Sequence, residues 1–221
     1  MSKDKIIGKV VNSRFEAKNA ALLPLFFKRT PDIEGWLEGR AIDCHRTNSR
    51  LLKKALRLAA ADDLEVVLKV NAATITDTYW FRPEGSTLTY QDIQFKENMF
   101  DKLALYGDPD SFNREAEGTP ELTNIGSFEK CWSLIEGLWY LYKAGNDNEL
   151  FSERFICELG KVLGMNMAEY EKDGTYIRSR DFTNGAAVNF EPAEAIVGED
   201  YSINFDALDQ LSEDAAKDYI K

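Results

Sequence analysis

The chain reads as an α+β protein in two parts: an N-terminal mixed α/β domain over 1–110, then an antiparallel sheet with one packed helix over 111–221. Three observations predict it. First, 221 residues with 44% hydrophobic and 12% aromatic content suffice for a sizeable core. Second, Gly107 to Asn124, GDPDSFNREAEGTPELTN, is rich in turn formers and poor in apolar residues, as a boundary is. Third, two strand-like runs joined by Glu136-Gly137 lead directly into one amphipathic helix ahead of Gly164.

In the first part, Lys5 to Asn12 is rich in Ile and Val and predicts a short strand. Glu16 to Phe27, with Ala20, Leu22, Leu23, Leu25 and Phe26, predicts a short helix with Pro24 near its end. Asp43 to Leu58 is the clearest helix, since Leu51, Leu52, Ala55, Leu56 and Leu58 recur near the helical period. Asp62 to Val70 has acidic residues suited to a helix N-terminus, although its valines leave a strand open. Ala72 to Pro83 favours a strand, with Tyr79, Trp80 and Phe81 more suited to core packing than to base stacking. Thr89, in an N-cap-like position, predicts a helix running to Tyr106.

In the second part, Lys130 to Ile135 and Leu138 to Lys143 predict a hairpin. The following helix is capped by Asn146-Asp147-Asn148, and its expected buried side carries Phe151, Phe155, Ile156, Leu159, Val162 and Leu163. Strands are predicted at Met167 to Glu171 and Tyr176 to Arg180, separated by a turn at Asp173-Gly174. A loop follows from Asp181 to Asn189, and the acidic tail ends in a helix starting near Ser212.

Composition narrows the function. A net charge of −11 repels nucleic-acid backbone and anionic membranes except at a local basic patch. The one candidate patch is Arg46, Arg50, Lys53 and Arg57, whose spacing places them in one stripe of a helix. It reads as a nucleic-acid or phosphate contact or, more commonly, as a solvated face. Three widely spaced cysteines, Cys44, Cys131 and Cys157, fit reduced thiols, and a single histidine, His45, argues against zinc. No apolar run reaches signal-peptide or membrane-span length, so a cytoplasmic protein without membrane contact is expected.

The chemistry concentrates between Thr123 and Gly164. Strand alternation sets Trp139, Leu141 and Lys143 on one side. A lysine ammonium is a compact charge with three donors, suited to phosphate. Ten residues on, Glu153 stands on the helix, where a carboxylate can hold that lysine in place. Gly126 sits in a turn ahead of the first strand, where a small residue lets backbone N–H groups approach an anion. From spacing alone, a strand-end lysine and a helix-surface glutamate are more often structural.

The order GSFEK, YLYK, SERFICELGKVLGMNMAEYE and YIRSRDF, over about residues 121 to 183, resembles the N-terminal lobe of HipA-type serine/threonine kinases, the toxin kinases of toxin–antitoxin modules. The resemblance implies that Lys143 contacts ATP phosphates and that Glu153 pairs with it. It implies that Gly126 and Ser127 form the turn over the phosphates and that the adenine lies near Ser179, Arg180, Asp181 and Phe182. Autophosphorylation at that turn in the family makes Thr123 and Ser127 expected phosphosites. ATP with magnesium is the implied ligand, and an antitoxin or another protein the implied partner. The helical lobe supplying the catalytic aspartate, an asparagine and the magnesium-binding aspartate is not matched. Asp181-Phe182-Thr183 stands too soon after Glu153 for a catalytic loop to intervene. The expectation is an ATP-binding portion of such a kinase, catalytically incomplete, as either a fragment or a short form. The alternative is a binding module contacting a partner protein or DNA through the basic helix 46–57.

Overall fold

The computed structural model describes residues 1–58, 62–98, 100–108, 118–124, 126 and 128–192. The expected tail helix near Ser212 lies outside the described residues. The architecture is α+β, as expected, with a two-stranded and a four-stranded antiparallel sheet.

The chain opens with a hairpin, β1 (Gly8–Val11) and β2 (Arg14–Ala17), turned by Asn12 and Ser13 at φ 49° and 59°. The helix expected over Glu16 to Phe27 is corrected here. That stretch holds the end of β2, a 3-10 turn at Ala20–Leu22, and the start of a short helix α1 (Leu25–Arg29) that Pro24 begins instead of ending. Proline has no N–H to donate, so it suits a helix start, where that donor would be unused.

Four further helices follow: α2 (Ile33–Glu38), α3 (Ser49–Ala55), α4 (Asp63–Lys69) and α5 (Tyr90–Ile93). Of the helix expected from Asp43, only the Ser49–Ala55 core forms. Asp62 caps α4 by accepting the Glu65 N–H at 2.8 Å, which settles that stretch as helix. The helix expected from Thr89 to Tyr106 is two pieces, α5 with its Thr89/Asp92 capping box and α6 (Phe100–Tyr106).

The strand expected over Ala72 to Pro83 does not form. The segment is an extended buried strap beside the N-terminus, joined by a single Ser2–Tyr79 bridge and by the Met1 ammonium donating to Trp80 O at 2.7 Å. Its strand-forming residues serve burial, and Tyr79 and Trp80 are core residues as expected. Beneath it Arg40 donates to the Asp77 carboxylate at 2.6 Å and to Ala72 O at 2.9 Å, and stacks on Trp36.

The second sheet comprises β3 (Lys130–Ile135), β4 (Leu138–Lys143), β5 (Tyr170–Asp173) and β6 (Tyr176–Arg180), in the order β3-β4-β6-β5. Glu136 and Gly137, at φ 51° and 80°, make the two-residue turn that pairs Ile135 with Leu138 and therefore Lys130 with Lys143. Between β4 and β5 lies α7 (Asp147–Val162), opened by an Asn146/Glu149 capping box.

Two of the apolar core clusters join the parts of the chain. Cys131 of β3, flanked by Tyr142 of β4, packs with Ile42, Leu52, Leu103 and Ala104. Leu122, in the 3-10 turn Pro120–Thr123, packs with Leu56, Val66 and Val70.

The buried side expected for α7 is corrected. Phe151, Phe155 and Val162 are 66%, 52% and 83% exposed, and Ile156, Leu159 and Leu163 are exposed as well. The helix docks instead through Cys157 and Gly160, where the Met167 side chain crosses Gly160 so closely that a Cβ would collide with it. At 100° per residue, Glu153, Cys157 and Gly160 share one face, and Phe151, Phe155 and Val162 lie nearly opposite.

Candidate functional site

The register sorts the four-stranded sheet into two faces. Lys130, Trp132, Leu134, Trp139, Leu141, Lys143, Tyr170, Ile177 and Ser179 share one, and Cys131, Tyr140, Tyr142, Arg178 and Arg180 share the other. The Cys131 face packs on the N-terminal half. The Lys143 face meets α7 at one end only.

There Lys143 Nζ donates to Glu153 Oε1 at 2.8 Å and to the Tyr170 hydroxyl at 2.7 Å. Burial works to lower the Lys143 pKa, but the hydrogen bonds to Glu153 and Tyr170 and their charges outweigh it, leaving it above the ordinary lysine value. Burial pushes the Tyr170 phenol up as well. The trio lines a cavity of about 550 Å³, closed elsewhere by Phe128, Leu150, Ile156, Cys157, Met167 and Ile177. An ammonium fixed at the rim of an apolar cleft is arranged to receive an anionic group attached to an apolar one.

Lys130 stands directly across from Lys143. Gly126 takes φ 102°, a backbone conformation that favours glycine, and a Cβ there would lie 2.6 Å from Lys130 Nζ, the movable end of that side chain. Beneath the strand, Arg46 donates to Lys130 O at 2.7 Å and lies 3.6 Å from Glu129. Its neighbour Glu121 is fully buried, accepts the Trp132 N–H at 3.1 Å, and is pushed up to about 7 by desolvation.

The structure thus unites Lys143 and Glu153 and brings Gly126 near them through Lys130. Ser127 lies outside the described residues. Thr123 donates its hydroxyl to Pro120 O at 2.9 Å. Arg180, Asp181 and Phe182 are not brought to the pair. Arg180 lies three positions beyond Ile177, the partner of Lys143, about 10 Å along the strand and on the other face. The buried Asp181 carboxylate accepts from Thr183 N, Thr183 Oγ1 and Gly185 N at 2.8, 2.6 and 2.7 Å, which folds the loop after β6. Phe182 is half exposed and meets Phe190 edge to face.

The basic stripe does not assemble. Arg46 precedes α3 and is buried, and Lys53 pairs with Asp63 at 2.6 Å, leaving Arg50 and Arg57 as the exposed members. The stripe presumed one helix from Asp43 to Leu58, and the turn before Ser49 directs Arg46 inward.

Among the described residues, Asp43, Cys44 and His45 are the one group with metal-compatible spacing, their ligand atoms lying within 4.8 Å of one another. Asp43 and Cys44 both approach the same His45 nitrogen, Nδ1, so the three form no proton relay. Also among the described residues, no helix is long and apolar enough to cross a membrane.

Sequence reasoning passed over Lys130 and Tyr170. The two-residue turn at Glu136-Gly137 was a sufficient signal for the first, because it dictates which residue faces Lys143. No family model, curated protein or solved structure matches the chain.

Proposed function

We propose that the chain binds ATP, with magnesium, at the Lys143–Glu153 pair, as the small lobe of a HipA-like protein serine/threonine kinase. One observation carries this reading. A strand ends in a lysine whose ammonium is held at 2.8 Å by a carboxylate from the next helix, with a second strand pair completing the antiparallel sheet. Kinases require that ion pair to position the α- and β-phosphates. The cavity beside it supplies apolar surface and Gly126 a close backbone approach. In this reading Lys143 binds the phosphates, Glu153 and Tyr170 orient the ammonium, and Gly126 admits the phosphates to the turn. Phosphoryl transfer would need the aspartate and asparagine of a second lobe, which these residues do not match.

Calorimetric titration with ATP and magnesium tests the proposal. The expected result is saturable binding that falls at least about tenfold in Lys143→Ala, the cost of a charged hydrogen bond. Absence of binding, or binding indifferent to Lys143→Ala, overturns it.

A further inference from the structure

The side of α7 turned away from the sheet carries six large apolar side chains that no element among the described residues covers. Phe151, Phe155, Ile156, Leu159, Val162 and Leu163 are between 41% and 83% exposed. At 100° per residue they span an arc of about 140°, with Phe151 at one edge and Ile156 at the other. A surface helix ordinarily turns such an arc to the core. On residues of about 200 Å² each, those exposures leave roughly 700 Å² of apolar surface on one helix, above the roughly 300–600 Å² of the largest patch on a typical monomer. A specific interface buries about 800 Å² on each partner. Phe151 and Phe155 stack at 5.8 Å and 20°, an aromatic anchor already in place. Beside them a cleft of about 400 Å³, lined by Arg154, Glu158, Lys172 and Tyr176, has room for a side chain from outside.

The charges along one edge of the arc indicate what covers it. Asp147, Arg154, Glu158 and Lys161 lie within about 60° of one another, just beyond Phe151. They sum to zero, so this edge offers no acidic field to a basic partner, although the whole chain carries −11. Their signs alternate along the helix. A two-fold axis perpendicular to α7 sets this edge against the same edge of a second α7 running in reverse. With the axis at Phe155, Asp147 meets the partner's Lys161 and Arg154 meets the partner's Glu158, each within about 3 Å along the helix. Phe155 then faces its own copy, and Phe151 faces the partner's Leu159. Within one chain Glu158 accepts from Lys161 at 3.1 Å, an exposed pair that can exchange partners with little loss.

We propose that α7 is a homodimer interface, its exposed arc packing antiparallel on the same arc of a second copy about a two-fold axis at Phe155. Glu153 stands about 160° round the helix from Phe155, so the dimer leaves the Lys143–Glu153 pair in place and forms whether or not nucleotide binds.

The test is sedimentation equilibrium of the full chain from roughly 1 to 200 µM, without nucleotide, at about 0.15 M salt, which screens the repulsion between two acidic chains. Folding of each variant is checked by circular dichroism. The wild type is expected to pass from monomer to dimer with a Kd of about 10–100 µM, so that it is a monomer at the sub-micromolar concentrations of a denaturation experiment. Phe155→Glu is expected to be monomeric throughout. Arg154→Glu and Glu158→Arg should each weaken the dimer about tenfold, because symmetry places the like-charge contact twice. The double variant, with the two charges exchanged, should return to within about threefold of the wild type. A wild type that stays monomeric at every concentration, or a Phe155→Glu chain that dimerises as the wild type does, overturns the proposal. A double variant no better than the single ones overturns the antiparallel pairing on which it rests.

Discussion

On one face of the four-stranded sheet Cys131 and Tyr142 close onto Ile42, Leu52 and Leu103, while on the other Lys143 and Tyr170, with Glu153 of α7, line a cavity of about 550 Å³. The same hairpin supplies both sets through strand alternation. Its packed side ties the sheet to the helices before it, and its open side carries the hydrogen-bonded Lys143, with Glu153 and Tyr170, at the cavity. Stability and binding are therefore separable residue by residue, and substitutions on the two faces should have opposite consequences.

The largest effect on stability is expected on the packed side. Leu103→Ala, at a fully buried position, should cost roughly 2–5 kcal/mol in urea denaturation and leave ATP affinity of the folded protein unchanged. At the seam between the two parts, Glu121 carries a pH signature. Its pKa is pushed up to about 7, above the unfolded value, so the folded state holds the proton more tightly. Stability from this group should fall as pH rises from about 4.5 to about 7, by about 3 kcal/mol, and be level above. Subtracting the pH profile of Glu121→Gln from that of the wild type isolates it.

On the open side the expected changes in stability are small. Lys143→Ala removes a partly exposed ion pair and should cost below about 1 kcal/mol in the same denaturation assay, while the proposed nucleotide binding is expected to weaken at least about tenfold. Phe155→Ala, on the exposed face of α7, should stay within about 0.5 kcal/mol of wild type. A cost of several kcal/mol at either position would mean that the open face also holds the fold together.

Local chemistry made much of this legible in advance. The β3–β4 hairpin, the Asn146 cap, the Thr89 cap and β6 depend on residues within a few positions of one another, and they form where the sequence puts them. Two of the misread stretches are decided by pairings that their composition does not mark. Ala72 to Pro83 has strand chemistry but finds only the N-terminus to lie beside, and Glu16 to Phe27 has helix composition that the β1–β2 pairing overrides. The α7 face is more instructive. Two residues along a helix turn about 200°, so Glu153 could not reach Lys143 while Phe151 and Phe155 were buried on the same side. Apolarity marked the large side chains, yet contact is made through Cys157 and Gly160, whose small size lets the helix approach the sheet. Of the expected site residues, Lys143 and Glu153 pair as the hairpin and helix that carry them suggested, although spacing alone left a structural role the commoner reading, and the position of Lys130 opposite Lys143 was implied by the turn. The distance of Arg180, Asp181 and Phe182 from them follows from β4–β6 register, which no local signal specifies.

The most direct measurement is a crystal structure of the chain with a nonhydrolysable ATP analogue and magnesium. The account predicts phosphate oxygens about 3 Å from Lys143 Nζ, on the face shared with Lys130 and beside Gly126. An analogue bound elsewhere, with Lys143 still engaged only by Glu153 and Tyr170, would contradict it.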